Sequence, residues 1–328
     1  MKIVRVIISL FLVFTVVFTF VVGVKKISSE KLERTEEYKG VLSLWQIDAF
    51  EGGIGSRKQF LMRVGSSFEK SNVGVLVMVS DHTIESANNK MADGIYPDMI
   101  SFGVGVNVNN VSQLNVSNLT SGGMVGSSAY ATCWCRGGYT LLSMNLEEEI
   151  PSTLTSLVVS QINYTNPLLA LLLEGITSHN IEIRSPLDAY VDFISGKAEY
   201  MLGTQRDVIR LENRGIEIKS RPLTQYNDLY QYVSITTKDR LKAEYCKRFI
   251  EYLVSRESQA KLNGLGMMSP FYQTSFTNEH LSGISRLNGH KTISAFIKGE
   301  VILDLQRVAK RFFDGEKIDI DKIKNILV

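Results

Sequence analysis

Residues 44–57, LWQIDAFEGGIGSR, bring together side chains that can hold a small polar molecule. The set comprises Trp45, Asp48, Glu51, Ser56 and Arg57. An aromatic ring can stack on the apolar face of a sugar, while carboxylates and a guanidinium make paired hydrogen bonds to hydroxyl or acidic groups. Two nearby carboxylates are also the minimum that glycoside hydrolysis requires. The glycine order differs from the GxGxxG fingerprint, so a nucleotide site is not indicated.

Four other stretches place polar or aromatic side chains beside glycines or at predicted strand ends, where a backbone can approach a ligand closely. The candidate ligand-binding residues in them are Ser101, Phe102, Trp134, Arg136, Tyr139, Gln205, Arg206, Asp207, Asn227, Asp228 and Tyr230. Purely structural interpretations stay open for several stretches. They are a solvated turn at 44–57, a β-bulge at 137–138, and a capped helix with an internal ion pair at 204–210.

The sequence offers no catalytic residue. The four histidines are scattered over predicted loops and helix ends, and none is placed beside a Ser or Cys nucleophile. Cys133, Cys135 and Cys246 form neither a disulfide framework nor a zinc pattern, so small buried thiols are expected. We therefore expect a protein that is not an enzyme and that uses no cofactor and no metal.

A β-α-β-α-β pattern must position the first group of candidates. The predicted elements are a strand at 41–47, a helix from 56, a strand at 75–79, a helix at 83–93 and a strand at 98–102. Gly52, Gly53 and Gly55 suit the first turn by permitting positive φ, and Ser56 and Thr83 are plausible N-caps. This alternation indicates a parallel sheet, and the carboxyl ends of such strands form the ligand crevice of open α/β folds.

The remaining chain predicts a second lobe and a return to the first. The predicted elements are a strand at 129–145 broken at 137–138, strands at 157–160 and 200–202, helices at 167–173 and 187–195, a return crossing at 226–235, and helices at 238–255, 292–313 and from 318. A composition shift at 147–151 marks the entry to the second lobe. We expect lobe 1 at 40–145 and 226–328, lobe 2 at 146–225, and the C-terminal helices packed on lobe 1.

Residues 6–24 are almost entirely apolar, follow a basic start and precede Lys25 and Lys26. The segment approaches the roughly 20 residues needed to span a bilayer, and no cysteine follows it for lipid attachment. We expect residues 1–26 to be a retained membrane anchor, with a cleaved signal helix as the alternative, and residues 27–39 to be a tether. The body would then lie outside the cell, at the membrane surface.

The chain has 328 residues, 44% of them hydrophobic, which is enough to bury a large core. Its formal charge is +2, but residues 1–26 carry four basic residues and no acid, so the remainder has a formal charge of −2. A nucleic-acid-binding surface is therefore not expected.

Several stretches occur in an order that resembles the bacterial extracellular solute-binding proteins of ABC importers, of the sugar-binding family 1 type. The resembling segments are LWQIDAFEGGIGSR at 44–57, FEKSN at 68–72, YPDMISFG at 96–103, CRGGYTL at 135–141, SGKAEYMLGTQRDV at 195–208 and YNDLYQYVSI at 226–235. They lie within residues 41–270, the span that the resemblance covers. The resemblance implies a periplasmic-binding-protein-like fold of type II, in which two α/β lobes close over a ligand at a hinge.

The resemblance implies binding rather than catalysis. We expect a membrane-tethered extracellular protein that captures a small polar solute, a carbohydrate, and presents it to ABC permease subunits. One alternative is a tethered sensor or scaffold with the same fold and no transport role. A second is a glycoside hydrolase that uses Asp48 or Glu51 together with Asp98.

Overall fold

The computed structural model describes residues 38–287 and 289–328, together with residues 14, 15 and 18. Residues Gly40–Val328 form one unit by their mutual contacts. The predicted anchor at 1–26 and tether at 27–39 lie almost wholly outside the described residues. Among the residues that are described, no helix is long and apolar enough to cross a membrane.

The unit is built from strands and α-helices. The strands are β1 (Gly40–Ile47), β2 (Val75–His82), β3 (Met99–Phe102), β4 (Met124–Val125), β5 (Ser128–Ala129), β6 (Thr132–Arg136), β7 (Tyr139–Ser143), β8 (Thr153–Ser160), β9 (Thr177–Arg184), β10 (Tyr200–Thr204), β11 (Lys219–Pro222) and β12 (Tyr230–Ile235). The α-helices are α1 (Arg57–Ser71), α2 (Ile84–Ala92), α3 (Pro167–Glu174), α4 (Pro186–Ile194), α5 (Gln205–Asn213), α6 (Arg240–Leu253), α7 (Arg256–Gln259), α8 (Glu279–Arg286), α9 (Gly299–Phe313) and α10 (Ile320–Lys324).

Two five-stranded sheets organise these elements. The first has the order β2-β1-β3-β12-β6, in which β1 pairs in parallel with β2 and β3, and β12 runs antiparallel to both of its neighbours. The second has the order β11-β7-β10-β8-β9, in which β8, β9 and β10 are parallel and β7 and β11 form an antiparallel edge. The predicted α/β class and its two lobes are confirmed.

Side-chain caps explain where the helices begin. Ser56 accepts a hydrogen bond from the amide of Gln59 at 3.4 Å, and Thr83 accepts one from the amide of Ser86 at 3.1 Å. Each cap satisfies an amide that the first helical turn leaves free, as predicted for both positions. Behind its cap, α1 buries one apolar face against the first sheet. That face consists of Phe60, Leu61, Val64 and Phe68.

The chain enters the second sheet earlier than the predicted lobe boundary at 145–146. β6 ends at Arg136, and after Gly137 and Gly138 the next strand, β7, already pairs with β10 of the second sheet. The chain returns between β11 and β12. The second sheet also contains β9, which the sequence analysis missed because this strand is largely exposed at the sheet edge and needs no apolar alternation.

The helices α8 and α9 pack on elements of the second lobe, not on lobe 1 as predicted. α8 lies against β11 and α5, and α9 lies against α3 and β9. The reason is that α3 is buried along Pro167–Leu172 and needs apolar cover on several sides, which α9 supplies with Ile302 and Leu305.

The predicted start of the long C-terminal helix at 292 is also wrong. The backbone of Thr292 pairs with that of Val328 through two hydrogen bonds of 3.2 and 2.8 Å. The amide of Ala295 donates to the carbonyl of Gly122 at 2.7 Å. These backbone groups are therefore committed to other segments, and the helix begins at Gly299.

Candidate functional site

The carboxyl ends of the parallel strands of both sheets face each other. Beyond β1 and β8, Asn163 Nδ2 donates to the carbonyl of Ala49 at 3.2 Å. Beyond β3, Gly105 has a φ of +87°, and a Cβ there would lie 2.1 Å from the ring of Tyr164. Glycine is thus required for this close approach of the two loops. This edge is where open α/β sheets bind their ligands.

An ionic bridge joins the first predicted strand-helix junction to the second. Glu51, which follows β1, lies 3.4 Å from Arg206 Nε and 3.2 Å from Arg210 Nη2, and both arginines belong to α5. Arg206 Nη1 also donates to the carbonyl of Gly53 at 3.4 Å. The structure therefore brings the candidates Glu51 and Arg206 together, in contact with each other across the two lobes.

Asp207 supports this bridge from the start of α5. Its carboxylate accepts a hydrogen bond from the amide of Thr204 at 2.9 Å and lies 3.2 Å from Arg210 Nη1. Burial raises the pKa of Asp207 to about 6, although the Thr204 amide and Arg210 act in the opposite direction. Asp207 thus caps α5 and orients Arg210, which corresponds to the capped-helix interpretation of this stretch.

Arg57 turns inward at the end of the first junction. Its Nε lies 2.8 Å from Asp48, its Nη1 donates to Gln231 at 3.3 Å, and its Nη2 donates to the carbonyl of Phe50. The Arg57 side chain is 1% exposed whereas that of Asp48 is 59% exposed. Asp48 therefore remains available to solvent at the strand end, while the charge of Arg57 is used inside the first lobe. Ser56 is exposed and acts as the N-cap of α1.

The glycine turn of this junction has a different role from the predicted one. Gly52, Gly53 and Gly55 do not have positive φ. A Cβ on Gly53 would lie 2.1 Å from the carbonyl oxygen of Leu265, and the amide of Ile54 donates to that oxygen at 2.9 Å. The turn is glycine-rich because it packs against another loop.

The predicted stacking platforms of the first lobe lie in its core. Trp45 is 8% exposed and contacts the ring of His82, with the centroids 4.4 Å apart. Trp134 is fully buried and stacks on Phe60 at 5.5 Å. Phe102 is likewise buried, among the rings of Tyr232 and Phe296. These positions were ambiguous because β3 and β6 are buried on both faces, so periodicity does not show which way a side chain points.

Ser101 connects two of the buried residues. Its hydroxyl accepts hydrogen bonds from Trp134 Nε1 at 2.9 Å and from Gln231 Nε2 at 3.1 Å. Gln231 in turn donates to the carbonyl of Ile47 at 3.0 Å. Ser101 is fully buried, and this network fixes the strand ends that carry the exposed loops.

Four further candidates hold the segments that cross between the sheets. Gln205 accepts from the amide of Gly138 at 3.0 Å, and Asn227 donates to the carbonyl of Gly137 at 3.0 Å. The carboxylate of Asp228 accepts from Tyr139 Oη at 2.7 Å.

Asp228 has two more donors, the amide of Asn166 at 2.7 Å and Tyr226 Oη at 3.1 Å. All of its partners are neutral donors, and burial raises the pKa of Asp228 to about 6. These side chains therefore brace the two crossings.

The last two candidates, Arg136 and Tyr230, border a small cavity of about 160 Å³ beside the crossings. Arg136 is 2% exposed and Tyr230 is partly buried. The structure thus divides most of the sixteen predicted residues among the lobe-to-lobe bridge, the core, the crossings and this cavity, and leaves Asp48 and Ser56 at the exposed end of the first junction. They are not gathered around one space.

A cavity of about 540 Å³ lies where the loops after β3 and β8 meet the start of α9. Its lining combines two aromatic rings with amide and charged groups, and it includes Asn107, Asn109, Tyr164, Phe296, Lys298 and Glu300. None of these residues was predicted. The sequence did carry a signal for Tyr164 and for the two asparagines, since all three follow the carboxyl ends of parallel strands.

A larger groove, of about 940 Å³, lies between α1 and the α6–α7 region on the outside of the first sheet. Among the described residues that line it, none belongs to the second sheet. Because both lobes line the cavity at Tyr164, that cavity is the better candidate for a ligand held between lobes.

No metal centre is present among the described residues, where no three His, Cys, Asp or Glu side chains are grouped to hold an ion. The three cysteines are buried free thiols, as expected, and burial raises the pKa of each.

No protein family model matches the chain, and no curated protein matches it in sequence. Solved structures do match its fold. The sugar-binding protein MalE from Xanthomonas citri is 11% identical with a TM-score of 0.60, and the match covers 88% of this chain and 95% of that one. The GacH receptor of Streptomyces glaucescens is 13% identical with a TM-score of 0.59, covering 86% and 95%. Iron-bound HitA from Pseudomonas aeruginosa is 11% identical with a TM-score of 0.55, covering 82% and 99%.

Identities this low show the fold alone. The similar structures are mostly sugar-binding proteins and other solute-binding proteins, and they include a substrate-binding protein of an ABC transporter. Their ligands range from a sugar to iron, so the fold does not select the ligand. The chain has the two-lobed α/β fold of the periplasmic binding proteins.

Proposed function

We propose that the chain is an extracellular solute-binding protein that captures a small polar solute, a carbohydrate, between its two lobes and delivers it to an ABC permease. The observation that carries the proposal is the cavity of about 540 Å³ to which loops from both sheets contribute. Its volume lies within the range of about 300–1,000 Å³ typical of small-molecule pockets.

The lining of this cavity favours a carbohydrate. The rings of Tyr164 and Phe296 can stack on the apolar face of a sugar, and Asn107, Lys298 and Glu300 can bond its hydroxyl groups. A hard metal ion takes about six or more oxygen ligands, whereas Glu300 is the one carboxylate among the described residues of this lining.

The ionic bridge between the lobes allows opening. The side chains of Glu51, Arg206 and Arg210 are 19–36% exposed, so each ion pair is worth at most about 1 kcal/mol. Breaking both pairs to admit a solute therefore costs less than the binding of a micromolar ligand returns, about 8 kcal/mol. We propose that the apolar segment at 6–24 holds this binding body at the outer face of the membrane.

The alternative of a glycoside hydrolase is not supported by the geometry. Asp98 accepts hydrogen bonds from the amide and the hydroxyl group of Ser43, both at 2.9 Å. Ser43 lies five positions before Asp48 along β1 and its end. At about 3.3 Å per strand residue, Asp98 lies roughly 16 Å from Asp48. The two carboxylates of a glycosidase are about 5–9.5 Å apart, so Asp98 cannot complete a pair with Asp48. Glu51 is engaged by Arg206 and Arg210 of α5.

The test is a thermal-shift screen of the full-length chain in detergent against mono- and oligosaccharides, amino acids and polyols. A true ligand at a hundredfold excess over Kd should stabilise the fold by about 2.7 kcal/mol. Replacing Tyr164 or Phe296 by Ala should weaken a sugar hit about tenfold, because each removes one stacking face.

Tyr252→Ala is the matched control, since Tyr252 is a partly buried aromatic residue in the outer groove. It should lower stability without changing the affinity for the sugar. A hit that is insensitive to Tyr164→Ala and Phe296→Ala would contradict the placement of the site. An absence of any hit would favour the tethered sensor or scaffold.

A further inference from the structure

The cavity of about 160 Å³ beside the two crossings is lined mainly by cationic and polar residues. Its lining residues include Arg136, His290 and five residues with hydroxyl groups, namely Thr120, Ser121, Tyr230, Tyr232 and Thr292. Among the described residues that line it, none is acidic. A cavity of this size holds several waters or one small ion, and its lining suits an anion.

Arg136 is a buried cation to which the described part of the chain supplies no carboxylate. Its side chain is 2% exposed, and its Nη2 donates to the carbonyls of Ser285 at 3.1 Å and Leu287 at 2.7 Å, at the carboxyl end of α8. Its Nη1 is buried and has no hydrogen-bond partner among the residues that the structure describes. The carbonyls compensate part of the charge, but the free Nη1 points to a further acceptor.

His290 provides a second unsatisfied atom at the same cavity. Its Nε2 lies 3.2 Å from the carbonyl oxygen of Leu223, which can only accept, so Nε2 carries the proton. Burial and the nearby charge of Arg136 lower the pKa of His290, which keeps the ring neutral at pH 7. Nδ1 is then a hydrogen-bond acceptor, and it is buried without a partner in the described part of the chain.

A donor and an acceptor left unsatisfied together restrict the chemistry of the ligand. The ligand must accept from Arg136 Nη1 with an anionic oxygen and donate to His290 Nδ1 with a hydroxyl group. Hydrogen phosphate has both groups at neutral pH. Sulfate has no proton to donate, and a chloride ion has neither an oxygen nor a proton.

We propose that this cavity is a binding site for hydrogen phosphate, which accepts from Arg136 and donates to His290. Water could satisfy the two atoms, but it would leave the buried charge of Arg136 uncompensated, which is costly at low dielectric. The site is separate from the cavity at Tyr164, so the inference does not rest on the proposed function.

The experiment is isothermal titration of the full-length chain, purified in detergent without phosphate, with sodium phosphate, sodium sulfate and sodium chloride at matched ionic strength and pH 7. We expect saturable binding of phosphate, with sulfate at least about tenfold weaker, the order of one hydrogen bond to a charged group. Failure of phosphate to bind, or equal binding of sulfate, would overturn the proposal.

Two variants and a control locate the site. His290→Ala should weaken phosphate binding about tenfold and abolish the preference over sulfate, because it removes the acceptor. Arg136→Gln should abolish binding of both anions. Arg221→Gln is the control: its guanidinium also donates to a backbone carbonyl, that of Ile150 at 3.2 Å, but it does not line the cavity, so binding should persist.

His290→Ala tests the proposal even if Arg136→Gln does not fold. The His290 side chain makes one hydrogen bond in the described structure, and its loss leaves the bonds from Arg136 to the carboxyl end of α8 intact. Unchanged affinity and unchanged selectivity in folded His290→Ala would contradict the proposal. Loss of binding in Arg221→Gln would do so as well.

Discussion

Two arginines that are equally buried differ in whether the chain provides a carboxylate for them. Arg57 and Arg136 are each 2% exposed. Arg57 has a carboxylate at 2.8 Å, from Asp48, and two further acceptors. Arg136 has backbone carbonyls and an adjoining cavity, and its Nη1 has no hydrogen-bond partner in the part of the chain that the structure describes. A buried charge that has a counter-ion within the chain has a structural role. A buried charge that has no counter-ion indicates a site where another molecule can bind.

Two aspartates differ in the same way, since one has a positively charged partner and the other has none in the described part of the chain. Burial disfavours the ionised form of Asp98, but hydrogen bonds from Ser43 and the ammonium of Lys242 outweigh it and lower the pKa of Asp98. Asp228 has three neutral donors and no cation bonded to it in the described part of the chain, and burial raises its pKa to about 6. Asp98 thus has a counter-ion, whereas Asp228 at the crossings has none in the described part of the chain.

The largest expected effect is the pH dependence of Asp228→Asn. A folded-state pKa raised from 3.8 to about 6 means that the folded chain holds the proton more tightly, so wild-type stability falls as pH rises through this window. The difference corresponds to about 3 kcal/mol. The free energy of unfolding of Asp228→Asn, measured with urea, should gain about this much relative to wild type between about pH 4 and about pH 7. A constant difference would show that Asp228 has no raised pKa.

Removing the counter-ion of Arg57 should have the next largest effect. Asp48→Asn leaves the buried guanidinium without its carboxylate, and we expect a loss of about 2 kcal/mol in the free energy of unfolding. Asp81→Asn is a matched control, since Asp81 pairs with Lys58 at 3.4 Å at a more exposed site. It should cost less than about 1 kcal/mol. Equal costs for the two variants would contradict the internal role assigned to Arg57.

Asp98→Asn should give a pH dependence of the opposite sign to that of Asp228→Asn. The lowered pKa of Asp98 means that its stabilising contribution is present above the unfolded-state pKa of 3.8 and is lost as pH falls through the folded value. We expect the variant to cost about 1–2 kcal/mol near pH 7, from a hydrogen-bonded charge. The cost should shrink in urea unfolding at about pH 3. A cost that grows on acidification would refute the pairing with Lys242.

The smallest effect should come from the bridge between the lobes. Glu51→Gln removes both ion pairs to α5, and because these side chains are partly exposed we expect a loss below about 1 kcal/mol that diminishes in about 0.5 M salt. Glu257→Gln, which breaks an exposed pair with Lys261 within one lobe, is the control. If Glu51→Gln costs several kcal/mol, the lobes do not separate as readily as solute capture requires.

Much of the fold could be predicted from local patterns. Ser56 and Thr83 were predicted as N-caps, and both make the capping hydrogen bond. The errors fell on segments whose partners are distant in sequence. β9 is an exposed edge strand, and the segment from Thr292 to Lys298 is held by Val328 and Gly122 instead of by its neighbours.

The candidate site was predictable in part. The idea that the junctions at 44–57 and 195–208 approach each other follows from the rule for strand carboxyl ends, and Glu51 does meet Arg206. That rule does not say which way a side chain points. Trp45, Phe102 and Trp134 lie in strands covered on both faces, so burial in the core and exposure to a ligand gave the same sequence pattern.

By itself, the sequence determined the α/β class, the caps, and the concentration of polar side chains at strand ends, because each depends on propensity and spacing within a few residues. The tertiary structure decided which buried charge has a partner. Arg57 finds Asp48 nine positions away, but Arg136 meets the end of α8 about 150 positions later and is left with a free Nη1. Charge neutralisation acts over a few ångströms of space, and distances of that kind are set by the packing of the two sheets.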